Sequence, residues 1–264
     1  MKRIHSFAAI AAAALGLAGC WSQPSLKTDT ITESGNYVLY EGGKDSLTTE
    51  ITLEIPTGGL KTEQLERMRE NLTAAVLGER YRSSDVSKAI SEFKEAITGQ
   101  YRKDNLELLK DFGYMNGIDG MENSEGAPML SWENIIVGHF MPQYGNMCSY
   151  VVYEYNFTGG AHGTDNETGL VFDLTTGELL YEEDIFKDGF EEEMAKALTA
   201  HLKDSFENAD DYEMLFVKEI APNGNFYITD KGVTYLYGRY EIGPYVIGLT
   251  RVTVPWAEIV DLVQ

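Results

Sequence analysis

His139, His162 and His201 are the imidazoles available beyond the first twenty residues, and they lie 23 and 39 residues apart. That spacing fits no zinc site, in which ligands come in close pairs. No H-E-x-x-H, G-x-S-x-G or Walker loop occurs, and no G-x-G-x-x-G follows a strand. The acidic run "YEEDIFKDGFEEEM" (181–194) holds enough carboxylates for the paired acids of glycoside hydrolysis. It also reads as a solvated face leading into a helix whose first turn favours negative charge. "DNETG" (165–169) and "IDGMENSEG" (118–126) offer oxygens to calcium, but neither follows the twelve-residue loop pattern. Neither a metal nor a cofactor is expected.

His162 has a distinctive setting, "EYNFTGGAHGTDNETG" (154–169), where a strand-like run breaks into Gly159-Gly160-Ala161-His162-Gly163. Gly159, Gly160 and Gly163 suit a tight connection needing φ > 0 or close backbone approach. A structural role for His162 ranks first, ligand contact second and catalysis last. The catalytic version would pair His162 with Asp165 or Asp173 as general acid and base.

The two cysteines have separate fates. "MKRIHSFAAIAAAALGLAGC" has a basic start, a short apolar stretch from Phe7 to Ala18, and Leu17-Ala18-Gly19-Cys20 at its end. This is the pattern of a bacterial lipoprotein signal peptide, residues 1–19, with Cys20 acylated after cleavage. The apolar stretch falls short of the roughly 20 residues that a spanning helix needs. Cys148 then has no disulfide partner and reads as a buried thiol. The expected setting is the cell envelope, with the protein lipid-anchored through Cys20 and facing the periplasm.

The chain carries 21 Lys+Arg against 42 Asp+Glu, a net charge of −21, and loss of Lys2 and Arg3 would leave −23. Nucleic acid is excluded as a partner, because its recognition needs a basic footprint. Basic protein partners are favoured.

Residues 20–36 are polar, lack periodicity and read as a tether. "LTTEITLEIP" alternates as a half-buried strand, with Ile51, Leu53 and Ile55 on one face, and stops at Pro56 and Gly58-Gly59. Leu65, Met68, Leu72 and Val76 form one helical stripe; Val86, Ile90, Phe93 and Ile97 form another. Gly99 and Gly113 read as breakers, and 114–130 as a loop. Residues 131–142 and 148–157 read as neighbouring antiparallel strands. "GLVFDLTTGELL" (169–180) is a further strand and turn, and 188–206 a helix with an Asp188/Glu191 capping box. His201 lies on its apolar stripe. Two or three strands follow around the Asp230-Lys231-Gly232 turn, and Pro255 opens a last helix. Clustered rather than alternating elements predict an α+β fold. It would have antiparallel sheets with helices packed on one face, in two closely associated subdomains.

"YNFTGGAHGTD" resembles the hallmark of the PdaC-type domain (DUF4163), which ends in a Tyr-Thr-Gly-Gly-Ala-His-Gly-like turn; Phe157 stands where that family often has Tyr. "GLVFDLTTGELLYEEDIFKDGF" and "NFYITDKGVTYLYGRYEIGPYVIGLTRVTVPWAEI" resemble the RsiV-type C-terminal domain (DUF3298). The shared elements are Phe172-Asp173-Leu174, Thr176-Gly177, Asp184-Ile185-Phe186 and Tyr240 to Tyr245. The likeness spans about residues 37–262 and is strongest from 150 onward. It implies a PdaC-like domain at 37–167 and an RsiV-C-like domain at 168–264. In these families the pair forms the outer part of lysozyme-sensing anti-sigma factors, an accessory module of peptidoglycan deacetylases, or a stand-alone lipoprotein. No sigma-binding segment, transmembrane helix or deacetylase domain is read here. The resemblance therefore implies a non-enzymatic envelope protein that binds lysozyme-like protein or peptidoglycan. Gly159, Gly160, His162, Gly163, Asp173, Tyr240 and Tyr245 are its candidate binding or hallmark residues. A glycan hydrolase using His162 and a nearby acid, and a structural subunit of an envelope assembly, are the alternatives.

Overall fold

A computed structural model describes residues 24–111 and 130–264. Cys20, the signal peptide, Gly113, the 114–129 segment and "IDGMENSEG" lie outside the described residues. The fold is α+β, with a six-stranded sheet in the order β1-β2-β3-β4-β5-β6 and a three-stranded sheet β7-β8-β9.

The chain divides into two compact units. One comprises Leu26–Phe140 and Val151–Thr168. The other comprises Met141–Tyr150 and Gly169–Gln264, together with Pro24 and Ser25. A continuous division at 167/168 was expected. The division is discontinuous because strands β4 (Met147–Phe157) and β5 (Thr164–Asp173) each give residues to both units.

In the first unit, β1 (Lys27–Val38) pairs antiparallel with β2 (Ser46–Gly58), from Lys27 opposite Gly58 to Val38 opposite Ser46. The expected tether thus ends before Lys27. Its polarity concealed a strand: β1 is an edge strand held by backbone pairing, with Thr and charged side chains in solvent. In β2, Leu47, Thr49, Ile51 and Leu53 point inward and are fully buried. Ile55 is only half-buried, and the strand continues through Pro56, itself buried, to Gly58.

The helices α1 (Thr62–Leu77) and α2 (Val86–Asp111) follow. At the start of α1 the Lys61 N–H donates to the Gln64 side chain, 2.9 Å, and Leu65, Met68, Leu72 and Val76 are buried as their spacing required. α2 runs unbroken through Gly99. That glycine costs roughly 1 kcal/mol relative to alanine, but Ile97 and the fully buried Tyr101 hold the helix in a core with Leu39, Leu47, Leu109 and Leu130.

β3 (Trp132–Phe140) pairs parallel with β2, Leu47 opposite Trp132. An all-antiparallel arrangement was expected. The α1–α2 crossover returns the chain to the same side, and only a crossover of this length joins parallel neighbours.

In the second unit, β6 (Leu179–Leu180) turns back on β5. There follow the short helix α3 (Glu182–Ile185), α4 (Glu191–Leu202) and α5 (Ala209–Glu213). The expected Asp188/Glu191 capping box does not form, since α4 starts after Phe190, whose backbone is already helical, and has no side-chain cap. Gly189 at φ 82° sits instead within a turn in which Phe190 N donates to Lys187 O at 3.2 Å. Met194, Leu198 and Leu202 of α4 are fully buried. They share a core with the antiparallel strands β7 (Phe226–Ile228), β8 (Gly232–Tyr237) and β9 (Thr250–Pro255). The Ser149 hydroxyl secures β7, donating to Ile228 O at 2.9 Å and accepting from Ile228 N at 2.8 Å. Pro255 leads into α6 (Trp256–Ile259).

Candidate functional site

The predicted site residues fall in three places. The first is the glycine turn, Gly159 to Gly163. Gly159 and Gly160 both have φ of 94°, a backbone that L side chains rarely adopt. A Cβ at Gly163 would come within 2.4 Å of the Tyr155 ring. The glycines thus serve the turn's shape. His162 is exposed, with Nδ1 3.1 Å from Gly163 O.

The second is Asp173. Its carboxylate accepts from Thr175 N at 2.8 Å and from the hydroxyls of Thr175 and Thr176 at 2.7–3.0 Å. The Gly177 N–H donates to Asp173 O at 2.7 Å. This is an Asx-type turn joining β5 to β6, a structural use of the carboxylate.

The third place brings residues together into a surface. β8 is buried along its whole length and delivers the chain to the loop Gly238–Gly248. The Tyr237 hydroxyl donates to Ala221 O at 2.9 Å, and burial holds its proton well above the ordinary phenol range. Glu241 then fastens the loop, accepting from Gly238 N and Asn223 Nδ2, each at 2.7 Å. Between Gly238 and Glu241, Tyr240 is held at φ 63°, the one non-glycine residue with positive φ among those described. A left-handed tyrosine persists only where its surroundings over-determine it. Arg239 places its guanidinium 4.1 Å over the Tyr245 ring and donates to Tyr245 O. The Tyr240 and Tyr245 rings are 5.8 Å apart.

A second loop meets the first. α5 is capped by Asn208, whose side chain accepts from Asp210 N at 3.1 Å. Past it, Phe216 N donates to Ile242 O at 2.9 Å. Leu215 and Ile242 turn inward, and a Cβ at Gly243 would meet Leu215 Cδ2 at 2.9 Å. The remaining side chains face solvent: Met214 is 42% exposed, Phe216 62%, Val217 42%, Tyr240 59% and Val246 74%. Lys218 folds back over the Tyr212 ring at 4.0 Å and donates to Tyr212 O. Arg239 and Lys218 are thus engaged with the loops themselves. The segment 204–219 carries six carboxylates and the single cation Lys218.

Both loops fall within residues 183–257. That segment matches the family described as "Protein of unknown function (DUF3298)". A crystal structure of a DUF3298 family member from Bacteroides fragilis is similar with a TM-score of 0.78 at 22% identity, covering 92% of this chain and 95% of that one. A DUF3298 family protein from Pseudomonas aeruginosa is similar with a TM-score of 0.63 at 16% identity, covering 92% of this chain and 96% of that one. These likenesses show the fold. No curated protein matches the chain.

Tyr240 and Tyr245 were legible as candidates; Met214, Phe216, Val217 and Val246 were not. The signal for the first three was the run Met214-Leu215-Phe216-Val217, apolar but without strand alternation, directly after an acidic helix. Among the described residues no group of His, Cys, Asp or Glu converges to hold a metal ion, and no helix is long and apolar enough to cross a membrane. Cys148 is buried, with Sγ 3.5 Å from Met141 O, and His201 Nε2 lies 3.0 Å from Glu258 Oε2. His139 is exposed on β3.

Proposed function

We propose that this is a non-enzymatic envelope protein, lipid-anchored through Cys20 and facing the periplasm. It binds a wall-active protein of the lysozyme type, or a peptidoglycan component, through the Met214–Val217 and Tyr240–Val246 loops. The unit formed by Leu26–Phe140 and Val151–Thr168, which carries the Gly159–Gly163 turn, is its PdaC-type part. The observation that carries this reading is the apolar surface of Met214, Phe216, Val217, Tyr240 and Val246, built on a fastened backbone and bordered by carboxylates. Exposed aromatic side chains on rigid loops make binding anchors at low entropic cost. The acidic border and the net charge of −21 favour a basic protein over an anionic glycan.

The test is calorimetric titration of a soluble form beginning at Trp21 with lysozyme, at low and high salt. Saturable binding that survives high salt is expected, since apolar contacts are not screened as charges are. Phe216→Ser and Val246→Ser should each weaken it by about tenfold or more, equivalent to about 1.4 kcal/mol. Binding abolished by salt would reject the protein partner, and binding indifferent to both substitutions would remove these loops from the site.

A further inference from the structure

We propose that, in the acylated protein, the loop Met141–Asn146 is the bilayer-facing surface of its unit, held against the lipid headgroups by a leash too short to let it leave. This rests on the reading of Cys20 as the lipid-bearing residue. Gln143 Nε2 donates to Pro24 O at 2.6 Å and to Gly145 O at 2.9 Å, which staples the start of the folded chain to this loop. Pro24 follows Cys20 by only four residues. Fully extended, that is at most about 14 Å, against roughly 30 Å for the bilayer hydrocarbon. The short leash follows from the fold, because the sequence alone assigned residues 20–36 to a free tether.

The loop's composition suits that neighbour. Met141, Pro142, Gln143, Tyr144, Gly145 and Asn146 include no carboxylate and no cation, in a chain whose residues are 24% charged. Tyr144 stacks on Trp256, centroids 5.2 Å apart and planes 14° from parallel. The Trp256 N–H donates to Thr229 O at 2.7 Å, which brings in the turn carrying Asp230 and Lys231, one charge of each sign. Tyr and Trp, apolar in body and polar at the tip, favour the headgroup zone. An acidic chain held near anionic lipid is repelled by its carboxylates. A neutral aromatic loop is the face that minimises this repulsion.

The test uses the full acylated chain in vesicles of phosphatidylethanolamine with a minority of phosphatidylglycerol, acylation being checked by mass spectrometry. A nitroxide is attached at Asn146→Cys; Asn146 is exposed, whereas Cys148 is buried. Its relaxation by nickel-chelating headgroups is then measured. Strong enhancement is expected. It should fall several-fold when about ten Gly/Ser residues, adding roughly 17 Å of reach, are inserted after Trp21. Gln143→Ala should lower it in the same direction. No enhancement in vesicle-bound, acylated protein would overturn the proposal, as would enhancement unchanged by the longer leash. An unmodified Cys20 would overturn the lipoprotein reading and this inference with it.

Discussion

Tyr101 and Tyr235 are both fully buried, one in each unit, and their surroundings differ in kind. Tyr101 packs edge-on against Trp132 at 5.5 Å, and its hydroxyl has no hydrogen-bond partner among the described residues. Burial, with the charge of Asp45 adding to it, pushes its phenol up to about 12. Tyr235 donates to Glu182 at 2.7 Å, and burial together with that bond holds its proton far above the ordinary phenol range. The first unit uses its tyrosine as volume; the second uses its own as a tie between β8 and the acidic segment before α4. The same contrast runs through both units. The first is assembled from periodic strands and long helices. In the second, polar ties fix short elements and loops, and those loops carry the exposed apolar surface.

The largest test of this contrast lies in the cores. Leu72→Ala in the first unit and Leu198→Ala in the second should each cost about 2–5 kcal/mol in denaturant unfolding. Only the Leu198 variant should also weaken partner binding under conditions where both remain folded; equal loss of binding would erase the functional distinction. Next come the tyrosines. Tyr235→Phe should cost about 1.5–3 kcal/mol, because it strands the Glu182 partner, whereas Tyr101→Phe should be near neutral or stabilising. Reversed values would break the comparison. The pH dependence sharpens it. A phenol whose folded pKa is raised contributes stability that is fully present below its unfolded value of 10.0 and is lost as pH rises through about 12. Tyr101→Phe should remove part of the alkaline loss.

Tyr240→Gly should change stability by about 1 kcal/mol, in the stabilising direction, by relieving the positive φ, while partner affinity falls. A destabilised variant would mean that the ring matters more to the fold than to the surface. The smallest effect belongs to Glu154 of β4, whose carboxyl is pushed above its ordinary 4.5 by burial. Its neutral form is the one the fold favours. Stability from this group is present below pH 4.5 and is lost as pH rises through the raised value. Glu154→Gln should raise the Tm slightly at neutral pH and leave it unchanged below pH 4.5.

Much of the first unit was legible. The α1 stripe and the alternation of β2 have the periods of their elements, so burial followed from spacing. β1 was illegible because an edge strand needs backbone partners rather than an apolar face. Gly99 misled because packing around Tyr101 outweighs a propensity cost of roughly 1 kcal/mol. In the candidate site, Tyr245 and Tyr240 stood out with their motif. Phe216 and Val246 did not, because their loops come together only in the folded chain, where Phe216 N donates to Ile242 O.

The amino-acid order by itself determined the α+β class, the helical stripes, the hairpin turn at Asp230–Gly232 and the acidic charge. Each rests on interactions within a few residues or on composition. Tertiary structure decided that β2 and β3 run parallel, that residues 27–36 form a strand, and that two loops 24 residues apart, at Phe216 and Tyr240, form one surface. Those outcomes depend on pairing between distant segments, and no local period records which segments will meet.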